Sequence, residues 1–506
     1  MSVAGMDAYQ SLVDQARQIA LLSSIEALLG WDERTKLPAA AGPYRAEQMT
    51  YLAGLVHQRQ TDPRIGQWLD ELSDSPLADD PHSKTGATIR WLRRQYEKKI
   101  RLPQLLVEEL TRTSVLGQQA WQIARKQNEF AGFAPLLAKT IELKRQEAEA
   151  LGYDESPYDA LLDEYEPFDR TSNVAPVLHG LREALVPLIE AIAESGRRPN
   201  LDNLTGPFPI DAQEAFGKKV AAEIGFDFQR GRLDETHHPF CSPMGPHDTR
   251  ITTRYDGRHF NNAFFSILHE AGHGIYEQGL PTEAFGLPTG EATSLGIHES
   301  QSRLWENFVG RSRAFWEHFY GDAQKTFGLG LAHVSLDDFY FAINDVRPSM
   351  IRVEADEATY NLHILVRFEL EQELIAGDLS VAELPTAWNE KYGNILGIQP
   401  QHDAEGVLQD IHWSAGLVGY FPTYALGNLY AAQFFEKADA DVGGLDEAML
   451  KGEFAPLSEW LGVNIHRHGQ RYTAAELVTR VTGKPLGHDA LMRHLRKKLG
   501  PLYDVV

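Results

Sequence analysis

Cysteine is nearly absent: Cys241 is the only one in 506 residues. No disulfide can close within the chain and no Cys-rich zinc module can form, so a metal would need histidine and carboxylate ligands. Basic residues are also scarce. Lys and Arg number 48 against 71 Asp and Glu, a formal net charge of -23. Binding phosphates needs the opposite balance, which excludes a nucleic-acid partner. The acidic excess favours solubility and gives cations a mildly attractive field. No stretch is long and apolar enough to suggest a transmembrane helix, so no membrane partner is expected. The opening stretch MSVAGMDAYQSLVDQARQIA lacks a basic segment followed by an apolar one. No signal peptide is expected, and a cytoplasmic location is the simplest reading. Internal repeats, low-complexity tracts and Gly/Ser linkers are missing as well.

What remains is a large chain with ample core material, 43% hydrophobic and 24% charged. Its length exceeds an ordinary domain of roughly 100–200 residues. Several domains, or one large mostly helical body with a cleft, would accommodate it. Leu12, Val13, Ala16, Ile19 and Ala20 form a 3.6-residue stripe near the N-terminus. Long amphipathic helices continue through the nineties and beyond, with a break at Pro103, and another precedes Gly196. Residues 235–260 differ. Ile251, Thr253 and Tyr255 alternate with Arg250, Thr252 and Arg254 between Gly245-Pro246 and Asp256-Gly257. This period of two predicts a short strand in a hairpin, whose edge would offer backbone groups to an extended peptide.

Just after that strand comes SILHEAGHGIYEQG, residues 266–279. A chain of this composition should contain H-[DE]-x-x-H about 0.1 times by chance, so context must decide. Ala263, Phe264, Ile267, Leu268, Ala271 and Ile275 make a helical apolar stripe around the motif. Asn261 or Asn262 would cap the start, and Gly279 with Pro281 would end it. His269 and His273 then project from one face, where both imidazoles can meet one zinc ion at about 2.0–2.1 Å. Glu270 sits about 100° round the helix, within reach of water at the metal. A third ligand is sought in the next helical stretch, which contains His298 and Glu299. Glu299 completes the His₂Glu set of a hydrolytic zinc with one position open, and His298 is the competing choice. Ser302, Arg303 and Glu306 share the face of Glu299 and would orient the ligands.

HEAGH followed by GIHESQSRLWEN resembles the thermostable carboxypeptidase Taq type of metallocarboxypeptidases, peptidase family M32. Further signatures follow the same order: HPF at His238-Phe240, DTRIT at Asp248-Thr252, IRVEAD at Ile351-Asp356 and GVLQDIHW at Gly406-Trp413. GYFPTYALGNL and LLGWDERTKLPAAAGPYRAEQ are similar too, and the likeness runs from about residue 8 to 500. The resemblance implies a mainly α, bilobal body with a deep active-site cleft; the strand read above adds a small β-sheet beside the HExxH helix. It would form one catalytic domain over residues 1–506 with no separable linker. It implies removal of single amino acids from peptides with a free C-terminus, with broad specificity. It also implies one Zn2+ per chain, replaceable by Co2+, and a homodimer.

Within that chemistry, Glu270 is the expected general base. His412, with Tyr420 or Tyr424, would supply the second oxyanion donor, His412 and Tyr420 being preferred on the resemblance. The substrate carboxylate calls for arginine, with its planar two-pronged hydrogen bond. Arg352 is first choice, Arg347 second and Arg250 third, although a salt bridge within the hairpin competes for Arg250. His238 is a further substrate-binding candidate. HRHG at His466-Gly469 reads as a solvated loop, GLGL at Gly328-Leu331 as a turn, and Cys241 as packing. Rival readings are a zinc endopeptidase or dipeptidyl-carboxypeptidase of related fold, and a binding scaffold without activity; intact Glu270 speaks against the last.

Overall fold

A computed structural model describes residues 3–505 of the chain; Met1, Ser2 and Val506 of the expected 1–506 domain lie outside the described residues. The mostly helical expectation holds, and one three-stranded sheet accompanies the helices. The chain divides into two compact units, each assembled from three segments. The first comprises Met1–Ile100, Asn200–Ile343 and Gln433–Pro485; the second Arg101–Pro199, Asn344–Ala432 and Leu486–Val506. Among the described residues, no helix is long and apolar enough to cross a membrane.

In the first unit, the helix Val3–Thr35 buries Leu12, Val13 and Ala16 as its stripe required. The sheet has order β1-β3-β2, with β1 Gly231–Glu235, β2 Cys241–Gly245 and β3 Asp248–Thr253. β2 and β3 form the expected hairpin, and β1 adds in parallel to the other side of β3. The predicted strand is therefore the central one. Its hydrogen-bonding edges are both taken, so it has no free edge for a peptide. β1 escaped notice because GRLDE has almost no β-formers. β3 also stops at Thr253, leaving Arg254 and Tyr255 outside, and Thr252 is buried where alternation placed it outward. Its hydroxyl bonds the Phe240 backbone, 2.8 Å from N and 2.9 Å from O.

The HEAGH motif lies on the helix Phe260–Gly279, which ends where expected. It starts after His259 without any side-chain cap, so neither Asn261 nor Asn262 serves as one. The helix starts at Phe260, two or three residues earlier than an Asn cap would allow, with that ring stacked on Phe264 at 5.0 Å and packed against Phe208 and Phe327. Apolar burial here settles the helix start in place of a cap.

The second unit centres on the helix Tyr360–Ala376, buried at 13 of its 17 residues. His363, Arg367 and Glu371 recur every fourth residue along it, so three polar groups line one buried face. The break at Pro103 is present, between helices ending at Arg101 and starting at Gln104. A helix over Thr171–Glu194 matches the stretch expected before Gly196.

Candidate metal centre

His269 and His273 stand one turn apart on their helix, with ring centroids 4.9 Å apart. Glu299 comes from the helix Leu295–Arg303, whose first turn is capped by the Ser294 hydroxyl on Ile297 N. The two helices approach backbone to backbone at Gly272, inside the motif. A Cβ on Gly272 would lie 2.5 Å from Gln301 O and 2.7 Å from Ser302 Cα. Only a glycine lets Glu299 come this close to the imidazole pair. Its Oε2 lies 3.4 Å from His273 Nε2 and 3.7 Å from His269 Nε2. Donors about 2.0–2.1 Å from a tetrahedral ion are about 3.3 Å apart, and these two separations are close to that. All three donor atoms lie within 4.8 Å of one another, and this is the one such group identified among the described residues.

The surroundings favour positive charge at this point. Burial works against ionising Glu299, but Arg303 and the two imidazoles hold it well below the usual carboxylate range. Glu306 behaves alike: burial opposes its charge, yet Arg303 and His269 bring it down to about 2. His269 Nδ1 lies 2.9 Å from Glu306 Oε2, which fixes the tautomer and leaves Nε2 for a metal. Burial lowers the His269 pKa, but Glu299 and Glu306 more than offset it and the net shift is upward. An imidazole drawn towards a proton marks a field that also attracts a divalent cation. For His273, burial and His298 bring the pKa down to about 3, so its imidazole is neutral at neutral pH. Glu270 is 6% exposed, and burial pushes it up to about 7.

His298 turns away from the trio. Its Nε2 lies 2.7 Å from Glu277 Oε1, and its ring stacks on His273 at 4.4 Å. Arg303 and Glu306 do surround Glu299, but the chain passes into a π-helical turn over Leu304–Val309, which no periodicity announced. His466 corrects the solvated-loop reading. It is 2% exposed, its Nε2 is 2.9 Å from Gln301 Oε1, and its ring packs on Tyr276. It thus braces the helix that carries Glu299. Gly272 and His466 were missed; the glycine within HEAGH was the one available signal. Arg250 has the local pairing, on Asp248 at 2.8 and 2.9 Å and over the Trp31 ring at 4.4 Å. His238 is exposed between β1 and β2.

The remaining candidates belong to the second unit. Arg352 is 4% exposed. Its Nε and Nη2 donate to Asp410 Oδ1 at 3.0 and 2.8 Å, and Nη1 donates to Tyr360 OH at 2.8 Å. Arg367, wholly buried, donates to the other Asp410 oxygen at 2.7 Å and to Gln409 Oε1 at 2.7 Å. Burial resists ionisation of Asp410, but the two arginines hold it far below the usual range. His412 is buried and brought down to about 4, chiefly by desolvation, so it is neutral at neutral pH. Its ring lies 5.3 Å from that of Tyr420, and Nε2 is 3.4 Å from Tyr424 OH. Glu371 holds this loop, accepting from Trp413 Nε1 at 2.8 Å and Gly419 N at 3.1 Å. Arg347 is exposed and bonds Asp345.

Residues 11–499 match the family described as Carboxypeptidase Taq (M32) metallopeptidase. The chain is 47% identical to thermostable carboxypeptidase 1 of Thermus thermophilus, covering 98% of this chain and 99% of that protein. It is 39% identical to carboxypeptidase 1 of Bacillus subtilis over 97% of both. The crystal structure of the M32 carboxypeptidase from Deinococcus radiodurans superposes with a TM-score of 0.95, at 42% identity, over 99% of this chain and 100% of that one. The helical fold, the HEAGH helix with its glutamate and this whole-length likeness place the chain in the M32 family of metallocarboxypeptidases.

Proposed function

We propose that the enzyme binds one zinc ion per chain through His269, His273 and Glu299, and releases single amino acids from peptides with a free C-terminus, with broad specificity. The carrying observation is the donor set: two Nε2 atoms around one carboxylate oxygen at 3.4 and 3.7 Å. Zinc, when bound, supplies a Lewis acid that polarises a carbonyl and acidifies water; cobalt would substitute. Glu270 takes a proton from the attacking water and returns it to the leaving amine. A carboxylate raised to about 7 suits both directions of that transfer. His412, neutral, donates an N–H towards the developing oxyanion, with Tyr420 as second donor.

Arg352 takes the substrate's C-terminal carboxylate. Support comes from charge: two arginines share one aspartate, so the buried cluster carries a surplus positive charge. An incoming carboxylate compensates it. Arg347 is exposed and serves as an outer contact for substrate; Arg250 and His238 stay secondary, Arg250 being held by Asp248. Residues 1–506 act as one catalytic domain, because each unit draws on three segments and no linker frees either. A cytoplasmic homodimer is the expected state, on the family resemblance and the single cysteine; light scattering should give twice 56.7 kDa.

The test pairs elemental analysis with chelation. One zinc per chain, activity lost on chelation and restored by zinc or cobalt, is expected. Product analysis separates the endopeptidase reading: an amidated peptide should resist, and equal cutting of both forms would overturn the carboxypeptidase assignment.

A further inference from the structure

The two oxygens of Glu299 are not equivalent. Oε2 faces both imidazoles and accepts a neutral hydroxyl, that of Ser302 at 3.1 Å. Oε1 accepts the Nε–H of Arg303 at 2.7 Å, one helical turn further on. The same guanidinium reaches Glu306 Oε2 through Nη1 at 3.3 Å, the oxygen beside His269 Nδ1. One side chain therefore ties the third donor to the group that orients the first. Its side chain is 14% exposed, so water screens the contact little.

A carboxylate can offer a metal one oxygen or both. A charge-assisted hydrogen bond is worth about 1.5–3 kcal/mol, and it draws electron density away from the oxygen it engages. We propose that Arg303 restricts Glu299 to one-oxygen coordination, fixing the protein donors at three and leaving the rest of the shell to water and substrate. Arg303 is thus a positioning residue. The inference rests on the reading of Glu299 as a metal ligand. Lysine cannot replace it, because a single ammonium lacks the rigid fork that spans both glutamates.

The consequence runs against intuition. Without Arg303 the carboxylate chelates with both oxygens, and in Arg303→Met a nearby positive charge also disappears. The site should then hold its metal about ten-fold tighter, or about 1.4 kcal/mol, while turnover falls. Cobalt(II) reads the geometry, since visible absorption weakens as coordination number rises. In Arg303→Met and Arg303→Lys, absorption should fall about two-fold or more, with tighter cobalt binding by chelator competition. Wild-type absorption, or looser binding, overturns the proposal; an arginine that merely props the helix would loosen the site. Glu299→Ala is the separate control: wild-type cobalt affinity there would sink the ligand assignment itself. Should the variants fail to fold, a crystal structure of cobalt-loaded wild type decides. Oε1 must remain on Arg303, and both oxygens at bonding distance overturn the inference.

Discussion

Each unit buries a cluster of charged groups, and the two are composed differently. In the first, Glu299 and Glu306 are balanced by Arg303 and Arg311, with Glu270 left over beside two imidazoles. In the second, Arg352 and Arg367 share Asp410 alone, among neutral His363, His412 and tyrosines. On the proposed function, the first set would take a cation and the second an anion. A self-sufficient core would close both balances internally, since an uncompensated buried charge costs several kcal/mol.

The largest blow to the comparison should come from Glu270→Gln. Turnover should drop about 10²–10⁴-fold, the usual worth of a general base, while elemental analysis still finds the metal. Next is Asp410→Asn, which strips both arginines of their partner. Denaturant unfolding at neutral pH should show a loss of about 3–5 kcal/mol. The pH dependence follows from the depressed folded-state pKa of Asp410. Its contribution is complete above the unfolded value of about 3.9 and declines as pH falls below it, so wild type and variant should converge in acid. Arg352→Met should be milder and more selective. Losing about 1.5–3 kcal/mol of charged hydrogen bonding should cut kcat/KM roughly 10–100-fold for free peptides and erode the preference over amidated ones. The smallest effect is expected from Gly272→Ala, whose methyl meets the neighbouring backbone. Overpacking of this kind costs about 1–3 kcal/mol, visible as a lower Tm together with weaker metal binding.

The candidate trio was legible because helical spacing fixes direction: residues i and i+4 must share a face, and Glu299 recurs with Ser302, Arg303 and Glu306 on another. The strand was legible through its alternation. Its neighbours were not, since β1 has a sequence without β preference and joins by a parallel pairing that no turn signals. The start of the HEAGH helix was misjudged because Phe260 wins more from burial than Asn262 would from capping. Gly272 and His466 act only through distant contacts, on Ser302 and Gln301, which sequence spacing does not encode. The Arg352–Asp410–Arg367 sharing was hidden for the same reason: 58 and 43 residues separate the partners.

The threefold interleaving of segments bears on how the chain is born. Residues 433–485 complete the first unit and 486–506 the second. At roughly 5–20 residues per second, the first hundred residues wait about 20–80 s on the ribosome before their last partners emerge. Leu12, Leu69 and Leu72 pack with one another inside the first hundred residues, whereas Val13 and Ala16 pack with Leu287 and face water or a chaperone until it emerges. Slow translation lengthens that exposure.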